Sequence, residues 1–289
     1  MISMLSTDNK KLHKQFAPSP EQNYVRVKTN AYLGEISSLS SYIISVPIVL
    51  ISSYLFYNVA DGDTVIAWGK EDSFFEWLTS LFYFIAAVLL VVTFTKNRNI
   101  FLLLLALILF FGAGEEISWG QRVFGFATPE EINKINVQHE FNIHNMIVFD
   151  GKTMDGELKH GISRFLGMDL MFKIFTVVFG MVLPFCVYHF KSISTIAQKY
   201  KIPIPPISIG VFFLVSWLLL KLSLAAIPTV SATASADAIR HYWRIYMAGP
   251  EIAEFIGSYT LAIICLYFYN YRNKNIMGKD FKQLGSINA

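Results

Sequence analysis

The feature that most constrains this chain is a set of apolar runs long enough to cross a bilayer. A hydrocarbon core about 30 Å thick takes about 20 apolar residues in a helix. Six stretches meet that length, at about 39–58, 75–95, 100–119, 170–190, 207–227 and 250–270. The second and third are the clearest: Phe82 to Thr95 holds no charge, and Ile100 to Gly114 is unbroken apolar sequence. The expectation is an all-α polytopic membrane bundle of about six transmembrane helices, with an amphipathic helix on its outer face. Composition agrees, with 54% apolar and only 16% charged residues and 25 phenylalanines. Two cysteines, Cys186 and Cys265, are too few for a disulfide framework.

Lysine and arginine set the orientation of such a bundle. One side collects Lys10, Lys11, Lys14, Arg26 and Lys28, the Lys96–Arg98 turn, Lys191, Lys199 and Lys201, and the tail from Arg272 to Lys282. This sorting predicts both termini in the cytoplasm of a bacterial inner-membrane protein. The organisation expected is a tail at 1–38, a bundle at 39–270 with an external loop at 120–168, and a second tail at 271–289. No secretory signal or lipidation box is expected at the start, so the first span serves as its own insertion signal.

Four segments gather ionisable groups at the opposite span ends: Glu71-Asp72 to Glu76, Gly114-Glu115-Glu116 to Arg122, Gln138-His139-Glu140 to Asn145, and His241 to Glu254. The topology brings all four to one face. Glu115 and Glu116 lie about 6–7 Å inside the expected end of span three. Two carboxylates there need compensation, and the C-terminal end of a helix disfavours negative charge. Lys221, inside span five, either pairs with one of them or snorkels to the headgroups. Glu76, Glu251 and Glu254 open their spans, where the helix dipole favours acids; they are also candidates for the site.

If span three continues as a helix, Glu115, Ser118, Trp119 and Arg122 form one stripe. Arg122 then serves as an anion clamp or as a plain surface arginine. Thr128-Pro129-Glu130-Glu131 reads as a capping box, predicting a surface helix from about 129 into the His139–His144 region. On that helix Glu140 and His144 share a face at i, i+4. They are either a hydrogen-bonded structural pair or two ligands of a divalent metal such as zinc. The catalytic candidates are Glu115, Glu116 and Arg122. The substrate-binding candidates are Trp119, Gln121, Asn145 and Lys221.

The run Gly114-Glu-Glu-Ile-Ser-Trp-Gly-Gln-Arg122, with Asn136-Val-Gln-His-Glu-Phe-Asn-Ile-His-Asn145 and the upstream Glu71-Asp72 to Trp77, resembles a pattern of uncharacterised bacterial multi-pass membrane proteins. The resemblance covers about residues 70–145 and implies a recurrent membrane fold, with His144 weighted above His139. In chemistry alone the site is similar to alkaline ceramidases, which hold zinc near a membrane face through several histidines. This chain has no HxxxH pair, so a mixed Glu/His site would have to serve.

Three function classes follow. The first is a metal-dependent hydrolase or transferase acting on a lipid or lipid-linked group at the outer face. The second is a small transporter or binding protein using the same acids. The third is a non-catalytic sensor or assembly factor. Membrane lipid is the expected partner. Nucleic acid is not, because the basic residues are dispersed in short loops without a groove of interleaved aromatics.

Overall fold

The computed structural model describes residues 44–70, 72–151, 153, 157, 159–231 and 233–271. The expected tail at 1–38, the first few residues of the first expected span, and residues 272–289 of the second tail lie outside them. The protein is all-α: among the described residues there is no strand, only an isolated bridge between Asn136 and Met146. In chain order the helices are α1 (Ile44–Val59), α2 (Gly62–Gly69), α3 (Phe74–Asn97), α4 (Ile100–Glu116), α5 (Gln121–Phe124), α6 (Glu130–Asn133), α7 (Ile162–Phe165), α8 (Met168–Val177), α9 (Leu183–His189), α10 (Lys191–Tyr200), α11 (Ile207–Ala226) and α12 (Ala236–Tyr271).

Four helices are long and apolar enough to cross a membrane, and five if α4 is counted with the bent segment that follows it. α8 and α9 join through a π-helical turn at Val178–Val182 into one of these helices, Leu170–His189. The first expected span appears as α1, an apolar helix of shorter described length.

α3 and α4 form an antiparallel hairpin. Arg98 closes α3 in the left-handed conformation, and the Asn99 side chain caps α4 by accepting the Phe101 N–H at 3.0 Å. The two helices are pinned further along by Ser80, whose hydroxyl donates to the Ala113 carbonyl at 2.7 Å.

The core sits where α1, α2 and α3 meet α12. Leu50, Tyr54 and Tyr57 of α1, Val65 of α2 and Phe75 of α3 pack with Ala248, Ile252, Phe255 and Ile256 of α12. α12 is the most buried of the spanning helices. α11 closes the other side of α1, where the Tyr54 hydroxyl donates to the Ser216 carbonyl at 2.8 Å. α11 meets the π turn so closely that a Cβ on Gly210 would strike the Gly180 carbonyl, so position 210 demands glycine.

Asp61 caps α2, accepting from the Thr64 N–H at 2.9 Å and the Thr64 hydroxyl at 2.7 Å. The Thr64 hydrogen bonds hold the Asp61 carboxyl below the usual aspartate range.

Two expected boundaries are corrected. Gly249-Pro250 does not begin a span: Pro250 lies inside α12, which starts at Ala236. Proline there leaves the carbonyl one turn earlier without its partner. A transmembrane bundle tolerates this when neighbours supply donors, and the Tyr57 hydroxyl donates to the adjacent Ile245 carbonyl at 2.9 Å. Nor does α4 continue past Glu116: the chain bends by 64° into the segment from Ser118 to Phe124.

Candidate functional site

The bend after α4 is made by three successive left-handed residues, Ser118 (φ 44°), Trp119 (φ 54°) and Gly120 (φ 79°). Only the last is a residue that adopts this region freely; each of the others costs about 1–2 kcal/mol. Side-chain contacts offset that cost. The Trp119 ring folds back over Gly114, where a Cβ would sit 2.8 Å from the indole, and meets Phe111 edge-on at 5.5 Å. The Trp119 Nε1–H donates to Glu115 Oε1 at 2.6 Å. The expected helical stripe of Glu115, Ser118, Trp119 and Arg122 is therefore overturned, although Glu115 and Trp119 still touch.

The other Glu115 oxygen explains how a carboxylate survives at a helix C-terminus. Oε2 accepts the backbone N–H groups of Ile143 (2.6 Å) and His144 (2.8 Å) from a segment far along the chain. Glu115 is thus an anchor, 4% exposed, with donors on both oxygens. The His144 ring lies close by. Its Nδ1 is buried, 3.5 Å from Glu115 Oε2, and lacks a hydrogen-bond partner among the described residues.

The segment anchored in this way is a loop. The helix expected to run from about 129 through His144 stops at Asn133 as α6, with Pro129 at its cap position. Thr128 does not cap it. Its hydroxyl donates to the His139 carbonyl at 2.8 Å and accepts from Gln121 Nε2 at 2.8 Å. Asn136 is the competitor that ends the helix. Its Oδ1 accepts the N–H groups of Gln138 (3.0 Å) and Glu140 (3.2 Å), while its Nδ2 donates to the Asn142 carbonyl (2.9 Å) and Asn142 Oδ1 (2.8 Å). Local side-chain bonds of this kind replace the helical ladder. Glu140 and His144 therefore share no helical face.

Glu140 is the hub of the loop. Oε2 accepts from the Ser118 hydroxyl at 2.6 Å and from Asn142 Nδ2 at 3.1 Å; Oε1 accepts from Arg122 Nη2 at 2.6 Å. The same Arg122 nitrogen reaches Asp72 Oδ2 at 2.6 Å, tying the loop to the start of α3. Gln121 bridges Thr128 to the Phe141 N–H at 2.8 Å, and Asn145 donates to Gln138. Of the metal candidates, Glu140 is committed to these donors and His144 faces Glu115. Among the described residues no group of three or more His, Cys, Asp or Glu side chains is placed to hold a metal ion.

Glu116 has different surroundings. One residue further around α4, its carboxylate has Glu254, Glu251, Glu76 and Glu115 as electrostatic neighbours. Tyr83 of α3, only 8% exposed and packed on Gly112, has a hydroxyl within electrostatic reach of Glu116 and Glu254. Neither that hydroxyl nor the Glu116 carboxylate has a hydrogen-bond partner among the described residues. Glu251 and Glu254 lie in the interior of α12 and not at its N-terminus, so the dipole does not account for them. Glu76 does stand in the first turn of α3, where it accepts the Asp72 N–H. Lys221 is exposed on α11 and forms no ion pair with an acid among the described residues, so the expected pairing with Glu115 or Glu116 is not formed there.

The structure thus separates two adjacent glutamates: Glu115 anchors a cap, and Glu116 joins an acid group between α3, α4 and α12. Asp72, Ser118, Asn136, Asn142 and Tyr83 complete these arrangements and were not singled out as functional from sequence. The asparagine-rich tract from Asn133 to Asn145 is the signal for the loop. Comparison with protein-family models, curated proteins and solved structures finds no match to this chain.

Proposed function

We propose that this is a membrane carrier or binding protein that takes up a cationic organic ligand, in exchange with protons, at the acid group of Glu116 and Glu254 with Glu251 and Glu76. The observation that carries this reading is the environment of Glu116: its electrostatic neighbours are carboxylates and it accepts no hydrogen bond among the described residues. Glu116, a carboxylate set among carboxylates within the bundle, calls for a compensating positive charge. That charge is a proton when the site is empty and a ligand cation when it is filled. An extended organic cation suits carboxylates spread over three helices, whereas a compact metal ion needs ligands converging on one point. Tyr83 adds an aromatic face and a hydroxyl beside this acid group.

In this reading the protein sits in the bacterial inner membrane with both termini cytoplasmic, and loop 118–149 is an outer cap. The cap is anchored at Glu115, one residue from the binding carboxylate, so loosening it and filling the site are mechanically linked.

The test is saturable binding of tetraphenylphosphonium to the purified full-length protein, with proton release followed by a pH indicator. The expected result is binding that weakens as pH falls, releases protons, and is lost in Glu116→Gln but kept in Lys134→Gln. Binding unaffected by Glu116→Gln, or none at any pH, overturns the reading.

A second reading, a hydrolase or transferase acting on a lipid, draws on His144. An imidazole whose buried Nδ1 faces a carboxylate at 3.5 Å is the oriented-base half of a transfer site. Against it, the Ser118 hydroxyl of the same cluster is bonded to Glu140. Loss of lipid turnover in His144→Gln, with cap stability unchanged, would favour this second reading.

A further inference from the structure

The opposite end of the bundle carries its own arrangement. α3 and α10 both end there in a left-handed residue that is not glycine, Arg98 (φ 55°) and Lys201 (φ 54°). Glycine or asparagine is the ordinary choice at such a position. The two ends are fastened together, because Asn99 Nδ2 donates to the Lys201 carbonyl at 2.7 Å. The fastening brings the Lys96–Arg98 turn beside the end of α10.

α10 is amphipathic. Ala197 is buried and Ile193 half-buried on the side facing the bundle, while Lys191, Thr195 and Lys199 are exposed on the other. Between these sides, Ile196 (51% exposed) and Tyr200 (55%) project outward without cover. Apolar residues flanking a lysine-bearing face are the pattern of a helix lying in the membrane interface.

Lys96, Arg98, Lys191, Lys199 and Lys201 are all exposed, and none forms an ion pair among the described residues. There is no Asp or Glu in 94–101 or 187–206 to neutralise them. Three of the cations also stand over rings, Lys96 over Tyr269 at 5.7 Å, Arg98 over Phe94 at 5.8 Å and Lys199 over Tyr200 at 5.4 Å, which steadies them without cancelling their charge.

We propose that the face formed by the Lys96–Arg98 turn and α10 binds the headgroup of an anionic phospholipid, with Ile196 and Tyr200 lying against its acyl chains. Uncompensated cations attract any anion. Exposed apolar side chains beside them favour one that brings hydrocarbon with it, which distinguishes a lipid from a soluble phosphate. Cations of this kind beside a membrane surface act over about a Debye length, so the preference weakens at high salt.

The experiment uses the full-length protein in neutral detergent, titrated with phosphatidylglycerol or with phosphatidylcholine of the same chains. Thermal unfolding gives an apparent affinity for each. Phosphatidylglycerol is expected to raise the midpoint saturably and phosphatidylcholine is not. Lys199→Gln and Lys96→Gln should each weaken phosphatidylglycerol roughly fivefold, the usual share of one cation near an anionic surface. Asn99→Ala, which keeps every charge but releases the fastening, should weaken it several-fold as well. Lys134→Gln, at the other end of the molecule, should change nothing. Equal response to the two lipids, an equal loss in Lys134→Gln, or the same shift produced by millimolar inorganic phosphate would each overturn the proposal.

Discussion

Glu115→Gln and Glu116→Gln, compared in one assay, separate anchor from binding group. Each replaces a carboxyl by an amide of nearly the same volume at adjacent positions, so packing is kept in both and largely cancels in the comparison. What remains is hydrogen bonding. Glu115 accepts from the Trp119 indole, the Ile143 N–H and the His144 N–H. Glutamine offers one acceptor oxygen. Turned to the two backbone groups, it keeps those bonds but loses their charge assistance, about 1 kcal/mol each. Its amide nitrogen then faces the indole N–H and leaves that donor unpaired, a further 1–3 kcal/mol or so. Glu115→Gln should therefore be about 3–5 kcal/mol less stable than Glu116→Gln. Even the lower figure opens the cap more than roughly a hundredfold more often, at 1.36 kcal/mol per tenfold. Limited proteolysis in detergent reads that opening directly: cleavage within 118–149 should accelerate strongly in Glu115→Gln and stay at the parent rate, or fall, in Glu116→Gln. Equal acceleration in both variants would show that Glu116 is held in a structural ion pair, whose rupture leaves an uncompensated charge. No acceleration in Glu115→Gln would refute the anchor.

Gly114→Ala places a Cβ 2.8 Å from the Trp119 ring; a cost of about 1–3 kcal/mol is expected, read as a lower unfolding midpoint and a shift in tryptophan fluorescence. Arg122→Gln leaves the buried Glu140 and the exposed Asp72 without their shared cation; about 2–4 kcal/mol should be lost, chiefly from Glu140, and Arg122→Lys should rescue only part because one ammonium does not reproduce the guanidinium geometry. Both changes should speed proteolysis of the cap. The Asp61 carboxyl is held below its unfolded value by Thr64, so its cap on α2 is fully present above the ordinary aspartate pKa of about 3.9 and lost as pH falls through the folded value. Protection of the Thr64 amide from hydrogen exchange should accordingly fall only below about pH 4, and Asp61→Ala should show the unprotected behaviour at every pH.

The membrane class was legible because hydropathy over a whole helix averages out local detail. α3, α4 and α11 begin and end within a few residues of the runs that announced them. α12 was not, since its first turns from Ala236 carry Arg240, His241 and Arg244 and lack the apolar signal, and Pro250 resembles a start when it is an interior residue. The bend after Glu116 has no local cause: Ser118 and Trp119 are poor left-handed residues, held there by Glu140, Gly114 and Glu115. The helix expected from 129 to His144 had a genuine local signal in Thr128 to Glu131, which lost to the side-chain bonds of Asn136. Convergence of the four ionisable segments followed from topology alone. Which neighbour each glutamate met did not, because a 100° turn between Glu115 and Glu116 sends one into the loop and the other toward α12.

The central claim is that Glu116 belongs to a site where carboxyls hold protons in exchange for a cation. A hydrophobic carbodiimide reacts with carboxyls that are protonated in an apolar setting, so mass spectrometry of the labelled full-length protein tests it directly. Modification is expected at Glu116 or Glu254 near neutral pH, slowed by tetraphenylphosphonium, abolished when both are glutamine, and absent at Glu115 and Glu140, whose oxygens are already engaged by hydrogen-bond donors. Modification at Glu115 or Glu140 with Glu116 and Glu254 untouched would contradict it.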